Sequence, residues 1–333
     1  MAVLGAAALV LSACGTIEDD DTIAIARATW DSGHMQAAIY AQLLTELGYS
    51  VTDPAEHTLD PNGFYPALGN GQYDLWANGW FPIHDIYLEA ERVTGQSVEL
   101  PIEPVGYQVR SGALQGYMID KATADSMGIT SMHQLADPSV AEVFDHDGDG
   151  LADLIGCNEG WGCNSVIESH IADLDWGGNV EQVVGDYGDL VAGVQASIAA
   201  GEPALFYAWT PNWTFEALRP GVDAVWLESS AIEDDEGLTL VEGLDGCAAD
   251  PCNLGWAVSS IRAVAHEDLL ADHPDIRRLL EVVTIPLADI AVQNALMAGA
   301  ERDYSEEQIV ADAAKWIADN RATVDGWLET ARG

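Results

Sequence analysis

The most chemically suggestive feature of the chain is a tryptophan on a glycine loop between two cysteines. Trp161 lies in GCNEGWGC, residues 156–163, flanked by Gly160 and Gly162. A large ring on such a loop is hard to bury in a core and well placed to face a cleft. Its face attracts a cation through the ring quadrupole, at about 2 kcal/mol or more once the contact is desolvated. The glycines let backbone N–H groups approach an anion closely. Two more tryptophans follow apolar runs: Trp80 after an expected strand at Tyr73–Ala77, and Trp209 after one at Ala204–Ala208. In open parallel sheets ligands sit beyond the carboxyl ends of strands, where both rings fall. Most of the 11 tryptophans belong in packing. Trp30, Trp176, Trp226, Trp316 and Trp327 are assigned to core or interface.

A second constellation is DHDGDGLAD, residues 145–153. Asp145, Asp147, Asp149 and Asp153, bent around Gly148 and Gly150, could wrap oxygen ligands around Ca²⁺. A full EF-hand would carry Glu at the twelfth position, which here is Gly156, so the loop resembles shorter nine-residue calcium loops closed by Asp153. The expectation is a structural Ca²⁺ beside Gly156–Cys163, with a solvated acidic turn as the alternative. No other cofactor is required.

The cysteines divide by position. Cys157/Cys163 and Cys247/Cys252 are each close in sequence and flanked by Gly or Pro, which allows the tight loop of a short disulfide. Four cysteines in two pairs could instead ligate zinc, but separations of six and five exceed those of the usual zinc knuckle. Cys14 stands apart, in Leu11-Ser12-Ala13-Cys14 after an apolar stretch too short to span a bilayer. That reads as a lipoprotein signal peptide and lipobox (1–14), acylated at Cys14 and followed by an acidic linker (15–21). A buried N-terminal strand is the alternative. The basic n-region is missing, so a start further upstream is expected.

The chain has 333 residues, enough for two domains, and 48% are hydrophobic, which excludes wholesale disorder. Lys and Arg number 12 against 55 Asp and Glu, a net charge of −43. Such a surface repels phosphate backbones and excludes nucleic acid as a partner. The even spread of carboxylates suits solubility at high ionic strength better than a local docking face. A monomer is expected.

The elements that must carry these residues alternate. Ile23 and Ile25 mark a strand. Met35, Ile39, Leu43 and Leu47 mark a helix stopped by Gly48, and Tyr49–Thr52 the next strand, a βαβ unit that implies a parallel sheet. Leu190, Val191, Val194 and Ile198 mark another helix, stopped by Gly201. The last 60 or so residues read as mostly helical, with Ser305 and Gln308 forming a capping box. Two α/β lobes follow from this alternation.

Through DLWANGWFPIHD (74–85), GCNEGWGC (156–163) and FYAWTPNW (206–213), the chain resembles the glycine betaine/proline betaine-binding proteins of ABC importers. The similarity continues through TIPLADIAVQNALM (284–297) and DGWLETA (325–331), in the family's order. The resemblance implies an α/β, two-lobed periplasmic-binding-protein fold (type II), with ligand in the cleft between hinged lobes. On that plan residues 22–108 and 258–333 form one lobe and 109–257 the other, with hinges near Gly106–Asp120 and Asn253–Ser260. It also implies that Trp80, Trp161 and Trp209 box a quaternary ammonium, while His84 and the N–H groups of Gly162 and Cys163 hold a carboxylate. Cys157–Cys163 matches the family's loop disulfide, whereas Cys247/Cys252 lies outside its pattern. The implied partners are glycine betaine or a related betaine, an ABC permease with its ATPase, and the membrane through the lipid anchor, outside the cytoplasm.

The chemistry agrees with that resemblance. A trimethylammonium has no N–H donor, so aromatic faces rather than hydrogen bonds must select it. A choline or sulfonium binder is the nearest alternative. An enzyme acting on a small zwitterion is the runner-up from another class, but the chain has no GxSxG, HExxH or phosphate loop. A calcium-dependent adhesion protein would need repeats, and none is present.

Overall fold

The computed structural model describes residues 22–91, 97–229, 239–299 and 304–333. The expected signal peptide with Cys14 and the acidic linker lie outside the described residues. Ile25–Ala28 (β1) is buried along its length and leads through Thr29–Asp31 into the helix Ser32–Leu47 (α1). Met35, Ile39 and Leu43 fall on its buried face, as their spacing predicts, and Gly48 ends it at a left-handed φ of 108°.

Among the described residues, nine strands form one sheet. After β1 come Thr58–Leu59 (β2), Leu75–Phe81 (β3), Ile102–Asp120 (β4), Ala152–Ile155 (β5), Val180–Val183 (β6), Leu205–Thr210 (β7), Ala224–Leu227 (β8) and Ser259–His266 (β9). Their order is β6-β5-β7-β4-β9-β3-β1-β2, with β8 also on β4. Each side keeps a parallel core, as expected: β1 lies parallel to β2 and β3, and β5 parallel to β6 and β7. The joint between them departs from the expected all-parallel sheet. There β9 is antiparallel to β3 and β4, and β4 to β7 and β8. A strand leaving one lobe and a strand returning to it must run in opposite directions.

Strand β4 carries the crossing. Its first part, Ile102 to Ala113, pairs with β9, and Leu114 to Ile119 then pairs with β7. At the exchange the backbone leaves extended geometry, with Ser111 at φ 46° and Gly112 at φ 137°. Gly112 takes that angle without the steric penalty a Cβ would bring. Ser111 N–H is also tied to Ser260 Oγ on the returning strand, at 3.1 Å.

Two strand ends differ from the sequence expectation. β3 runs to Phe81 and β7 to Thr210, so Trp80 and Trp209 lie inside strands rather than after them. β3 is buried at all seven positions, and a strand covered on both faces accepts rings at successive positions.

The middle of the chain supplies the helices Gly162–Asp173 (α2) and Tyr187–Ala200 (α3), the latter closed by Gly201 as expected. The chain then ends in Pro274–Val282 (α4), Leu287–Gly299 (α5), Glu306–Asp319 (α6) and Arg321–Arg332 (α7). The Ser305–Gln308 capping box opens α6 with both of its hydrogen bonds. Gln42 of α1 reaches the Val310 carbonyl of α6, and Arg321 of α7 grips Glu46 of α1 at 2.8–2.9 Å. The C-terminal helices thus brace the helix that follows β1.

Candidate binding cleft

Trp80, Trp161, Trp209, His84, Gly162 and Cys163 come from three distant segments and line one cavity of about 40 Å³. Trp30, Ile83, Gln115 and Tyr207 complete the wall. The expected residues therefore meet, although nothing in their sequence separation requires it.

The aromatic half is a set of touching rings. Trp161 meets Trp209 edge to face with centroids 5.6 Å apart, and meets Trp30 likewise at 5.5 Å. Trp209 stacks on Tyr207 at 5.7 Å and leans on Tyr187 at 4.2 Å. Three indole N–H groups are accounted for. Those of Trp30 and Trp80 both donate to Asn78 Oδ1 at 2.7 Å, and that of Trp161 donates to Thr29 Oγ1 at 2.7 Å. Asn78 is itself held, its Nδ2 donating to Gln36 Oε1. With the N–H edges engaged, the ring faces are left for apolar or cationic groups.

The opposite half holds donors. His84 is buried, and burial lowers its pKa to about 3, so the ring is neutral. Its Nδ1 accepts from the Trp80 backbone N–H at 3.2 Å and meets the Tyr65 hydroxyl at 2.9 Å. With Nδ1 serving as acceptor, the ring proton belongs on Nε2. Gly162 and Cys163 open α2, and first-turn N–H groups have no acceptor inside their own helix. The helix dipole adds positive potential there. A Cβ on Gly162 would meet Ile83 Cγ2 at 2.9 Å and lie 3.8 Å from His84 Nε2, so only glycine fits between them. The Cys157–Cys163 disulfide, with Cα atoms 6.6 Å apart, fixes the helix start. Neutral donors at one end and ring faces at the other suit a zwitterion whose nitrogen carries no hydrogen.

Trp30 is the residue that sequence reasoning missed. It was assigned to core or interface, yet it lines the cavity against Trp161. The signal was present: Trp30 follows β1 at its carboxyl end, the same placement that singled out Trp80 and Trp209. Gln115 was also unmarked. It faces Trp209 in the β4–β7 register and accepts from the Tyr207 hydroxyl at 2.6 Å. Trp176 and Trp226 are core residues as expected, and Trp316 stacks on Trp327 at 6.2 Å within the C-terminal helices.

The Cys247–Cys252 pair is also a disulfide, with Cα atoms 6.1 Å apart, so neither pair is a zinc site. In the acidic loop, carboxylate oxygens of Asp145, Asp147 and Asp149 lie within 4.8 Å of one another. A second group joins Asp147 and Asp153 to Glu181, which strand pairing sets opposite Asp153. Asp149, followed by its acidic neighbours, pushes the Glu181 pKa up. Backbone N–H groups of Gly148 and Gly150 donate to Asp145, and that of His146 to Asp153, so the loop is folded by its own carboxylates.

Residues 21–319 match the family described as the substrate binding domain of ABC-type glycine betaine transport system. The glycine betaine-binding periplasmic protein OusX of Dickeya dadantii is 36% identical over 313 residues, covering 93% of this chain and 90% of that one. The glycine betaine/proline betaine-binding periplasmic protein of Escherichia coli is 35% identical over 298 residues, covering 89% and 86%. Among solved structures, lactococcal OpuAC in its closed form with glycine betaine superposes with a TM-score of 0.66 at 18% identity, covering 93% of this chain and all of that one. An ABC-transporter choline-binding protein with choline gives 0.67 at 16% identity, covering 93% and 92%.

Proposed function

The chain belongs to the family of substrate-binding domains of ABC-type glycine betaine transport systems, and we propose that it holds glycine betaine or proline betaine between its lobes as a zwitterion. It is an extracytoplasmic, betaine-binding component of an ABC transporter, and its relatives are binding proteins rather than enzymes. The observation that supports the ligand pose is the convergence of Trp80, Trp161 and Trp209 with His84, Gly162 and Cys163 on one cavity. In this reading the ring faces, Trp30 among them, take the ammonium. The Nε2–H of His84 and the N–H groups of Gly162 and Cys163 donate to the carboxylate.

The pose has consequences for selection. Proline brings two N–H bonds into an aromatic wall that offers them no acceptor. Choline offers no carboxylate and leaves the donors unpaired, at about 1–3 kcal/mol. Calorimetry with glycine betaine, proline betaine, proline and choline tests this, the first two binding ahead of the others. Trp161→Ala should cost about 1–3 kcal/mol of betaine affinity. Choline binding as tightly as glycine betaine, or full affinity in Trp161→Ala, would overturn the pose.

Three finer assignments belong to the same proposal. Residues 22–108 with 258–333, and 109–257, act as hinged lobes that close on the ligand as a monomer. Cys14 carries the lipid that anchors the mature protein to the membrane. Asp145, Asp147, Asp149 and Asp153, joined by Glu181, hold Ca²⁺ beside the ligand loop.

A further inference from the structure

The aromatic cavity has a larger neighbour. A second cavity of about 800 Å³ lies beyond Trp30, Trp161 and Trp209, and among the described residues these three alone line both. Its lining also includes Asp31, Asp186 and Glu216. His84, Gly162 and Cys163 line only the inner cavity. The two cavities therefore share the cation end of the site and not the anion end.

The two ends also differ in how far they can give. At the anion end a Cβ on Gly162 already meets Ile83 at 2.9 Å, and His84 is held by the Trp80 N–H and Tyr65. At the cation end Trp30 and Trp80 are tied to Asn78, whereas Trp161 is held by its bond to Thr29. An inner cavity of about 40 Å³ has to widen around a bound solute. Widening into packed core costs contact energy, while Trp161 borders the open volume of the outer cavity.

We propose that the ammonium end of the site continues into the outer cavity, so that the protein accepts betaines with nitrogen substituents larger than methyl while keeping the nitrogen-to-carboxylate spacing fixed. This rests on the zwitterion pose above. The lining carboxylates add a preference: a substituent that ends in an ammonium is favoured over an apolar one of equal length. Burial raises the Asp31 pKa against a hydrogen bond with Trp213 that lowers it, and the Asp186 charge adds to the rise.

Calorimetry on the full chain with four zwitterions tests the inference. Glycine betaine is the reference. N-butyl-N,N-dimethylglycine and N-(3-aminopropyl)-N,N-dimethylglycine lengthen the nitrogen end equally, and 4-(trimethylammonio)butanoate lengthens the spacer. Both nitrogen-extended ligands should bind within about tenfold of glycine betaine, the aminopropyl one ahead by about threefold or more at low salt, and the butanoate about 100-fold weaker. Asp186→Asn with Glu216→Gln should erase the aminopropyl advantage and leave glycine betaine affinity unchanged; Asn still caps α3 as Asp186 does. Loss of both nitrogen-extended ligands while glycine betaine binds would overturn the inference, as would a butanoate that matches glycine betaine. Failure of glycine betaine itself would overturn the zwitterion pose, and this inference with it.

Discussion

Trp161 donates its indole N–H to the Thr29 hydroxyl at 2.7 Å, across 132 positions of sequence. Thr29 follows β1, while Trp161 stands at the cap of α2. The bond thus ties the disulfide loop to the strand end that faces it, beside the edge-to-face contact of Trp161 with Trp30. A neutral hydrogen bond of this kind contributes about 0.5–1.5 kcal/mol. That is enough to bias closure and too little to lock it.

Thr29→Val keeps the shape of the side chain and removes the acceptor. Betaine affinity should fall by roughly 2- to 12-fold, the equivalent of about 0.5–1.5 kcal/mol. Titration calorimetry reads this directly. Unchanged affinity would mean that the bond plays no part in ligand-bound closure.

Asn78 Oδ1 accepts from two buried indoles at once, those of Trp30 and Trp80. Asn78→Leu would orphan both N–H groups, at about 1–3 kcal/mol each. Urea denaturation should show that loss of stability, together with weakened betaine binding. Trp30→Phe removes one donor instead of orphaning it. It should cost less stability and still weaken binding, whereas undiminished affinity would return Trp30 to a purely packing role.

Burial lowers the His84 pKa to about 3 and that of His170 to about 4. Both titrate near 6.5 in the unfolded chain, which therefore binds more protons than the folded one below that pH. Each histidine subtracts stability as pH falls from about 6.5 toward its folded value, and neither does so above it. For binding, a neutral His84 already offers its Nε2–H. Betaine affinity should stay within about threefold between pH 8 and pH 5 when titrated in matched buffers. A steep rise on acidification below 6.5 would show that the ligand carboxylate recruits an imidazolium.

If the acidic loop holds Ca²⁺, chelator should lower the melting temperature and added Ca²⁺ should restore it. Binding to the native state alone adds about 2.7 kcal/mol at a hundredfold excess over Kd. Asp149→Asn should blunt the response, and Glu181→Gln should weaken it if that residue completes the shell. An unchanged melting temperature in chelator would leave the loop a carboxylate-folded turn.

Much of the site was legible because its signals are local. A tryptophan set among glycines between cysteines is a loop feature whatever the rest of the chain does, and Cys157–Cys163 and Cys247–Cys252 are close enough for spacing alone to propose them. The helix ends at Gly48 and Gly201, and the Ser305–Gln308 box, are written in residues within one turn of the feature they control. The run of apolar and aromatic residues at β3 reads from the sequence as Tyr73–Ala77, two residues early at its start and four residues short at its end, because a strand buried on both faces has no alternation to mark its limits.

The tertiary structure decided what depends on distant residues meeting. Trp30 stands in a three-residue connection between β1 and α1, a context that fits a core ring as well as a wall. Only its contact with Trp161 makes it part of the cleft. The shared acceptor on Asn78 and the hydroxyl of Thr29 are invisible to periodicity, since hydrogen-bond partners are set by where strands are placed. The same holds for β4: the family plan puts a hinge near Gly106–Asp120, but only the strand pairing shows that one run of 19 residues exchanges partners there, at Ser111–Ala113. Residue types and local spacing determined the chemistry available to this protein; the long-range pairing of β4 with β7 and β9 decided which of those residues face one another.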